Sequence, residues 1–376
     1  MTPTSPTVAA PNPGPRLLSL DFLRGFIMVA LALGETGFFA KLSRAFDHPA
    51  LNLLATEFSH PKWEGSHFWD FLQPAFMFVA GVALALSHDK QQRLLHYSWL
   101  QSLFKTLRRS ALLCFWGVMI YAVRGDRLNL QFSNVLVMLS FSTLLSFLVI
   151  AWSPRAQFSV SALCLLVPEL LFRLTHFPGF DQPFVQHHNF SDYVDLLVLH
   201  KPVGNYSPIT NCVPNAVHTL WGLMAGQLLL RDGDAKFKLR WLTGTGFAAL
   251  ALGVGLHLAG ITPVLKWIST SSYVLVTGGT VLLALAGAYF WIDVRGHRQH
   301  LGFFTVVGMN SVFIYLFYNF VGSHWLYGYV TTLCGGLLQL AGVPLAIGAA
   351  ASCLVVFGLE WLLCWFLHRH KIFFRL

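Results

Sequence analysis

The chemistry-bearing residues gather in one stretch, Ser59–Ser87 (SHPKWEGSHFWDFLQPAFMFVAGVALALS), where a polar run rich in His and Trp leads directly into a long apolar segment. His60 stands beside Pro61 and Trp63 ahead of that segment. Asp70 follows where a membrane-entering helix carries charge only at a cost. An imidazole so placed can take a proton from an amine or hydroxyl nucleophile near neutral pH, or can itself be acylated. Pro61, Trp63, Gly65, Trp69 and Pro74 are rigid or amphipathic and suit a fixed wall at a membrane interface. Asp70 is placed to orient or charge-stabilise the imidazole, although His67 is its nearer neighbour in sequence.

Further polar residues fall inside or at the ends of apolar segments. Asp21 and Arg24 lie three apart, on one helix face, either as an internal ion pair or as ligands. Glu35 lies eleven residues beyond Arg24, about three turns up the same helix. In NCVPNAVHTLWGLMAG (211–226), Asn215 and His218 form a second polar wall, or else a cap and an interhelical hydrogen bond. Lys266, in PVLKWISTSSYVLVTGG, begins another segment, where a lysine ordinarily snorkels to water. Gly308, Asn310 and Ser311 interrupt a later segment with residues that permit close packing. Glu169 and Arg173 are spaced to pair. His187, His188 and His200 lack a metal-ligand spacing, and no metal site is expected. The glycines at 222–226 and 278–279 sit in apolar helices without GK[ST] or a preceding strand, so they read as helix-packing residues and not as a phosphate loop.

The elements that must position these groups follow from composition. Of 376 residues, 55% are hydrophobic and 11% charged, with a mean hydropathy of +0.59, which excludes a soluble globular protein. The expected fold is an all-α polytopic membrane bundle, because repeated apolar segments of about 20 residues span as helices. Ten spans are expected: Leu17–Ala40, Phe68–Ser87, Ser110–Val123, Ser133–Trp152, Phe158–Leu174, Val213–Leu230, Trp241–Gly260, Ser271–Ile292, Phe303–Val321 and Pro344–Leu367. Val330–Leu340 forms either an eleventh span or an interfacial helix. With both termini in the cytoplasm, 16 Lys and Arg fall in cytoplasmic loops and tails and 8 outside, Arg24 being inside the first span, as the positive-inside rule requires. The net charge of +9 thus reports orientation, and nucleic acid is not an expected partner. Residues 1–15 read as a disordered tail and 16–376 as one domain. The six cysteines are scattered and read as packing residues. No internal repeat supports a transporter of inverted halves, although a permease for a sugar or acidic solute is the competing reading of the intramembrane charges.

Five motifs in order, RLLSLDFLRG, HPKWEGSHFWDFLQPAFMFVAG, VPNAVHTLWGLMAG, PVLKWISTSSYVLVTGG and GMNSVFIYLF, resemble the transmembrane acyltransferase family of heparan-α-glucosaminide N-acetyltransferase and its bacterial relatives, from Arg16 to about Tyr318. The resemblance implies transfer of an acetyl group from cytoplasmic acetyl-CoA to an amino sugar, a terminal glucosamine or cell-envelope sugar, across a bacterial inner membrane. His60 falls at the family's active histidine and Asp70 at its acidic position, giving His60, Glu35 and Asp70 as expected catalytic residues. Asp21, Arg24, Trp63, Asn215, His218, Lys266 and Asn310 are then expected to bind substrate or CoA, with Arg108 and Arg109 attracting its phosphates. Asn215, His218 or Asn310 is expected to steady the oxyanion. Three positions depart from the family pattern. Glu35 replaces an Asn, and could act as a second base or hold an amine. Glu64 follows Trp63 in place of an Asn, and Val137–Met138 replaces Gln-Arg. Acetyl-CoA, the acceptor and the lipid bilayer are the expected partners, and a homodimer is an allowed assembly.

Overall fold

The computed structural model describes residues 17–124, 134–200 and 208–374. The expected tail, 1–15, lies outside the described residues. Sixteen α-helices are described: α1 (Leu18–Glu35), α2 (Phe38–Phe46), α3 (Pro49–Glu57), α4 (Phe68–Leu95), α5 (Trp99–Arg124), α6 (Val135–Leu148), α7 (Pro154–Leu174), α8 (Phe190–Leu199), α9 (Pro208–Leu230), α10 (Ala235–Leu258), α11 (Ser271–Ala288), α12 (Leu301–Met309), α13 (Ser311–Phe317), α14 (Tyr327–Val330), α15 (Gly336–Leu340) and α16 (Leu345–Arg369). No strand is present among the described residues.

Six helical stretches are long and apolar enough to cross a membrane: Phe68–Leu95, Trp99–Val123, Pro154–Leu174, Ala235–Leu258, Ser271–Val294 and Leu345–Arg369. Two bent pairs raise the number to eight. Several expected boundaries differ in the structure, the second span running on past Ser87 to Leu95. The first span bends by 56° between α1 and α2, where Gly37 takes a left-handed φ of 72°. The segment expected at Ser110–Val123 runs back to Trp99. The segment expected at Phe303–Val321 breaks at Asn310 with a 72° bend. Beyond that break, the connection expected over Gly322–Val343 is helical as far as Leu340, with π-helical turns at Tyr318–Leu326 and Thr331–Gly335. It runs antiparallel to α16, so that Gly322 faces Glu360 and Gly335 faces Gly348 and Ser352.

In hydrocarbon, helices are not driven together by hiding apolar surface, so close packing must supply the contact. Glycine seams provide it. A Cβ on Gly81 of α4 would lie 2.0 Å from the Thr219 carbonyl oxygen of α9, and one on Gly222 of α9 would lie 2.0 Å from the Phe78 carbonyl oxygen. A similar seam joins α1 to α12, where a Cβ on Gly25 would meet the Phe304 carbonyl oxygen at 2.0 Å. Gly246 and Gly279 join α10 to α11 in the same way. The glycines at 222–226 and 278–279 therefore act as packing residues, as their apolar setting implied. The core runs through the α4–α9 contact, where Met77, Phe78, Val82, Val217, Leu220 and Leu223 are fully buried.

Candidate active site

Two residues in α4 determine where the site forms. Pro74 has no amide hydrogen, so the carbonyl of Asp70, four residues earlier, loses its helical partner. The Tyr273 hydroxyl of α11 replaces it, donating to the Asp70 carbonyl oxygen at 2.8 Å. Asp70 also closes the helix start: its Oδ2 accepts from the His67 amide at 2.9 Å, and its own amide donates to the His67 carbonyl at 2.9 Å. Glu57 takes the next amide, that of Phe68, at 2.8 Å. The first turn of α4 is thereby tied to α11 and to the end of α3.

The remaining oxygen of Asp70 faces His60 and Lys266. Its Oδ1 lies 2.6 Å from His60 Nδ1 and 2.9 Å from Lys266 Nζ. A carboxylate oxygen only accepts, so Nδ1 carries a hydrogen, and in the neutral ring Nε2 then keeps the lone pair. Lys266 Nζ is also 3.1 Å from Nδ1 and 3.4 Å from Nε2, which places the ammonium against the imidazole. Side-chain exposure differs sharply across the group: 0% for Asp70, 9% for Lys266 and 36% for His60. The ion pair is buried and the imidazole is open. Trp267 stands edge-on to the His60 ring with centroids 5.5 Å apart, and Trp69 lies at 6.5 Å.

Lys266 does not snorkel, and the loop that carries it explains why. Thr270 holds that loop closed by accepting from the Leu265 amide at 3.1 Å and donating to the Pro263 carbonyl at 2.7 Å. Asn211 of α9 donates to the Trp267 carbonyl at 2.7 Å, and Asn215 donates to Ser269 Oγ at 2.6 Å. The Gly65 amide donates to the Val264 carbonyl at 2.9 Å, joining the His60 loop to the Lys266 loop. Burial pushes the Lys266 ammonium below the ordinary lysine range, and the charges of Asp70 and Glu35 oppose that shift. The apolar neighbours Val264, Leu265, Trp267 and Ile268 do not by themselves set the direction of this lysine. Tyr273, Asn211 and Trp267 carried no signal in the sequence either.

The expected site residues divide into three groups. His60, Asp70 and Lys266 touch one another, and Glu35, exposed at the end of α1, lies within Coulombic reach of Lys266. Trp63 and Asn215 support the loops: the Trp63 indole donates to the Phe184 carbonyl at 2.9 Å, and Asn215 fastens Ser269. The others lie elsewhere. His218 is buried between α9 and α11, with Nδ1 at 3.1 Å from the Asn215 carbonyl and Nε2 at 2.9 Å from Thr277 Oγ1. Asn310, at the helix break, holds the backbone of Ile372 and Phe374 with its amide nitrogen and oxygen, at 3.2 and 3.0 Å. Both side chains are committed to neighbours away from His60. Asp21 and Arg24 sit near the other end of α1, about 20 Å along the helix from Glu35. There Arg24 is close enough to Arg109 of α5 for their like charges to repel. The pairing expected for Glu169 and Arg173 is present at 2.7 Å and reaches Thr262, bracing α7 against the loop that carries Lys266. Among the described residues, no group of His, Cys, Asp and Glu is arranged to hold a metal ion.

No curated protein sequence matches the chain. The family model described as heparan-alpha-glucosaminide N-acetyltransferase, catalytic, matches residues 16–262. That interval contains His60, Asp70 and Glu35 and ends four residues before Lys266. With about two thirds of its length matched, the chain belongs to the catalytic family of heparan-alpha-glucosaminide N-acetyltransferase.

Proposed function

We propose that this protein takes an acetyl group from acetyl-CoA on the cytoplasmic side and delivers it to an amino sugar on the outer side of a bacterial inner membrane. The observation that carries this reading is the open imidazole of His60 backed by the buried Asp70–Lys266 pair, within the family-matched region. His60 Nε2, its lone pair preserved by the Nδ1–Asp70 hydrogen bond, takes the proton of the attacking amine or carries the acetyl group in transit. Asp70 fixes the tautomer and balances the imidazolium charge that develops. Lys266 has ammonium hydrogens beyond the one directed at Asp70, and these suit the oxygen of the tetrahedral intermediate, a role worth a few kcal/mol. The contacts of His218 and Asn310 leave Lys266 better placed for that role than either. Trp69 and Trp267 restrict water around the ring.

At the opposite end, Asp21, Arg24, Arg108 and Arg109 form the CoA side of this proposal. The adjacent like charges of Arg24 and Arg109 are unfavourable alone and favourable around a phosphate. Ten spans with both termini inside, as the distribution of Lys and Arg favours, would put His60 on the outer face and these arginines on the inner one. The test is transfer of labelled acetyl from acetyl-CoA to glucosamine by purified protein in nanodiscs. Wild type is expected to transfer and His60→Ala to fall by about 10²–10⁴. Equal transfer by both would remove His60 from the mechanism.

A further inference from the structure

Glu360 lies in α16 beyond the family-matched residues, 15 positions after Leu345 and 9 before Arg369. At 1.5 Å per residue, that puts it about 22 Å and about 14 Å from the ends of a helix long enough to cross the membrane. The residue is 1% exposed, and among the described residues neither carboxyl oxygen has a hydrogen-bond partner. Oε1 is aimed at Gly322, where a Cβ would lie 2.7 Å away, so the glycine leaves the space that the carboxyl fills. Gly322 belongs to the π-helical turn Tyr318–Leu326, a local widening of the kind found at functional positions. Tyr318, whose ring borders the same space, and Cys364, one turn along α16, are titratable groups beside it that carry no charge near neutral pH. Lys41 of α2 is two turns away along α16, where Thr36, Tyr327 and Cys353 engage its ammonium. Among the described residues no charged side chain acts on Glu360.

An anion held there forgoes its hydration, at several kcal/mol, with no hydrogen bond or cation in exchange, whereas the acid bears no net charge. A metal ion would need further ligands, and no group of His, Cys, Asp and Glu among the described residues supplies them. A proton needs one oxygen. We propose that Glu360 is a proton-binding site in the middle of the membrane, whose acid form lets residues 311–340 pack on α16 and whose ionisation parts them. The step is a plain proton transfer: the carboxyl O–H bond breaks, the proton goes to water entering the parted interface, and the carboxylate keeps the electron pair. Because the packed form holds a proton that the parted form sheds, rising pH favours parting. This site is independent of the acetyltransferase reading.

Infrared spectroscopy of the protein in nanodiscs reads the proton directly. Near neutral pH, wild type is expected to show the C=O stretch of a protonated buried carboxyl, unchanged by added Na+ and missing from Glu360→Gln. Spectra of the two proteins that coincide in this region, or loss of the band on adding Na+ at constant pH, overturn the assignment. In wild type alone, isotope-labelled glutamate should shift the band, and a band that stays in place overturns it too. Cys364, free and fully buried, reports on the parting. As pH is raised from neutral, its alkylation by a membrane-permeant maleimide is expected to accelerate in wild type about 10-fold or more beyond its acceleration in Glu360→Gln, because ionisation of the thiol is common to both and cancels. Equal acceleration would break the link between the proton and the packing. Glu360→Gln is expected to transfer acetyl at the wild-type rate near neutral pH, so absence of transfer by both proteins defeats the acetyltransferase reading and leaves this site standing.

Discussion

Asp70 and Glu360 are both carboxyl groups buried inside the bundle, 0% and 1% exposed, and their surroundings are opposite. The side chain of Asp70 is held by the His67 amide, His60 and Lys266, groups from the start of α4 and from two loops on either side of it. Among the described residues, neither oxygen of Glu360 in α16 has a hydrogen-bond partner, and the side chain packs against Gly322. A buried carboxylate is stable only when its lone pairs are met, so the investment around Asp70 marks the part of the molecule built to hold a charge in place. The antiparallel pair formed by residues 311–340 and α16 packs a carboxyl without such support. Rigidity is therefore expected to be concentrated around the α4–α9–α11 site.

Substitutions should separate the two regions. Asp70→Asn leaves the Lys266 ammonium without its buried partner and removes the acceptor that fixes the His60 tautomer. Acetyl transfer is expected to fall by about 10²–10⁴, and stability in thermal unfolding by about 3–5 kcal/mol. Retained activity would mean that Asp70 is only a helix cap. Next in size is Gly222→Ala. Its Cβ would meet a backbone oxygen of Phe78 at 2.0 Å, so α4 and α9 must move apart, at about 1–3 kcal/mol. Gly322→Ala meets the flexible end of Glu360 at 2.7 Å, and the same melting experiment is expected to show a much smaller loss. Similar losses at the two glycines would erase the contrast.

A smaller signature lies in the alkaline pH dependence of stability. Burial lowers Lys266 from its ordinary 10.5, so between the lowered value and 10.5 the unfolded chain holds a proton that the folded one has shed. Below that window the cost of burying the ammonium is fully present; it is relieved as pH rises through the window, so stability should increase there. Chemical unfolding of Lys266→Gln across the same range should lack this increment, and an identical pH slope would show that Lys266 is not buried as a charged group. The smallest effect is expected for Glu360→Gln, less than about 1 kcal/mol in melting, because no hydrogen bond is lost. A large loss there would show that the carboxyl of Glu360 makes a contact its surroundings do not suggest.

How much of this could be read from the sequence depended on distance along the chain. His60 and Asp70 are ten residues apart in one motif, and their partnership was legible from residue types alone. The apolar segments were equally legible, since hydropathy over about 20 residues is a local property. The orientation of Lys266 was not, because it is decided by Asp70 and by the clamp of Asn211 and Asn215 on its loop, all more than 50 residues away. Tyr273, which replaces the hydrogen bond that Pro74 removes, lies 203 residues from Asp70. Asn310 and His218 looked like site residues because polar groups in apolar helices are expensive, yet each meets its cost through bonds to residues 62 and 59 positions away. The break at Asn310 shows the same limit: hydropathy is blind to a 72° bend.

The central claim is that Asp70 acts through His60. A double-mutant cycle in the acetyl-transfer assay tests it most directly, using His60→Ala, Asp70→Asn and the pair together. If the two form one unit, the double variant is no slower than His60→Ala alone, because Asp70 has nothing left to orient. Losses that multiply, with the double variant slower than either single variant by the product of their factors, would contradict the account and assign Asp70 a separate role.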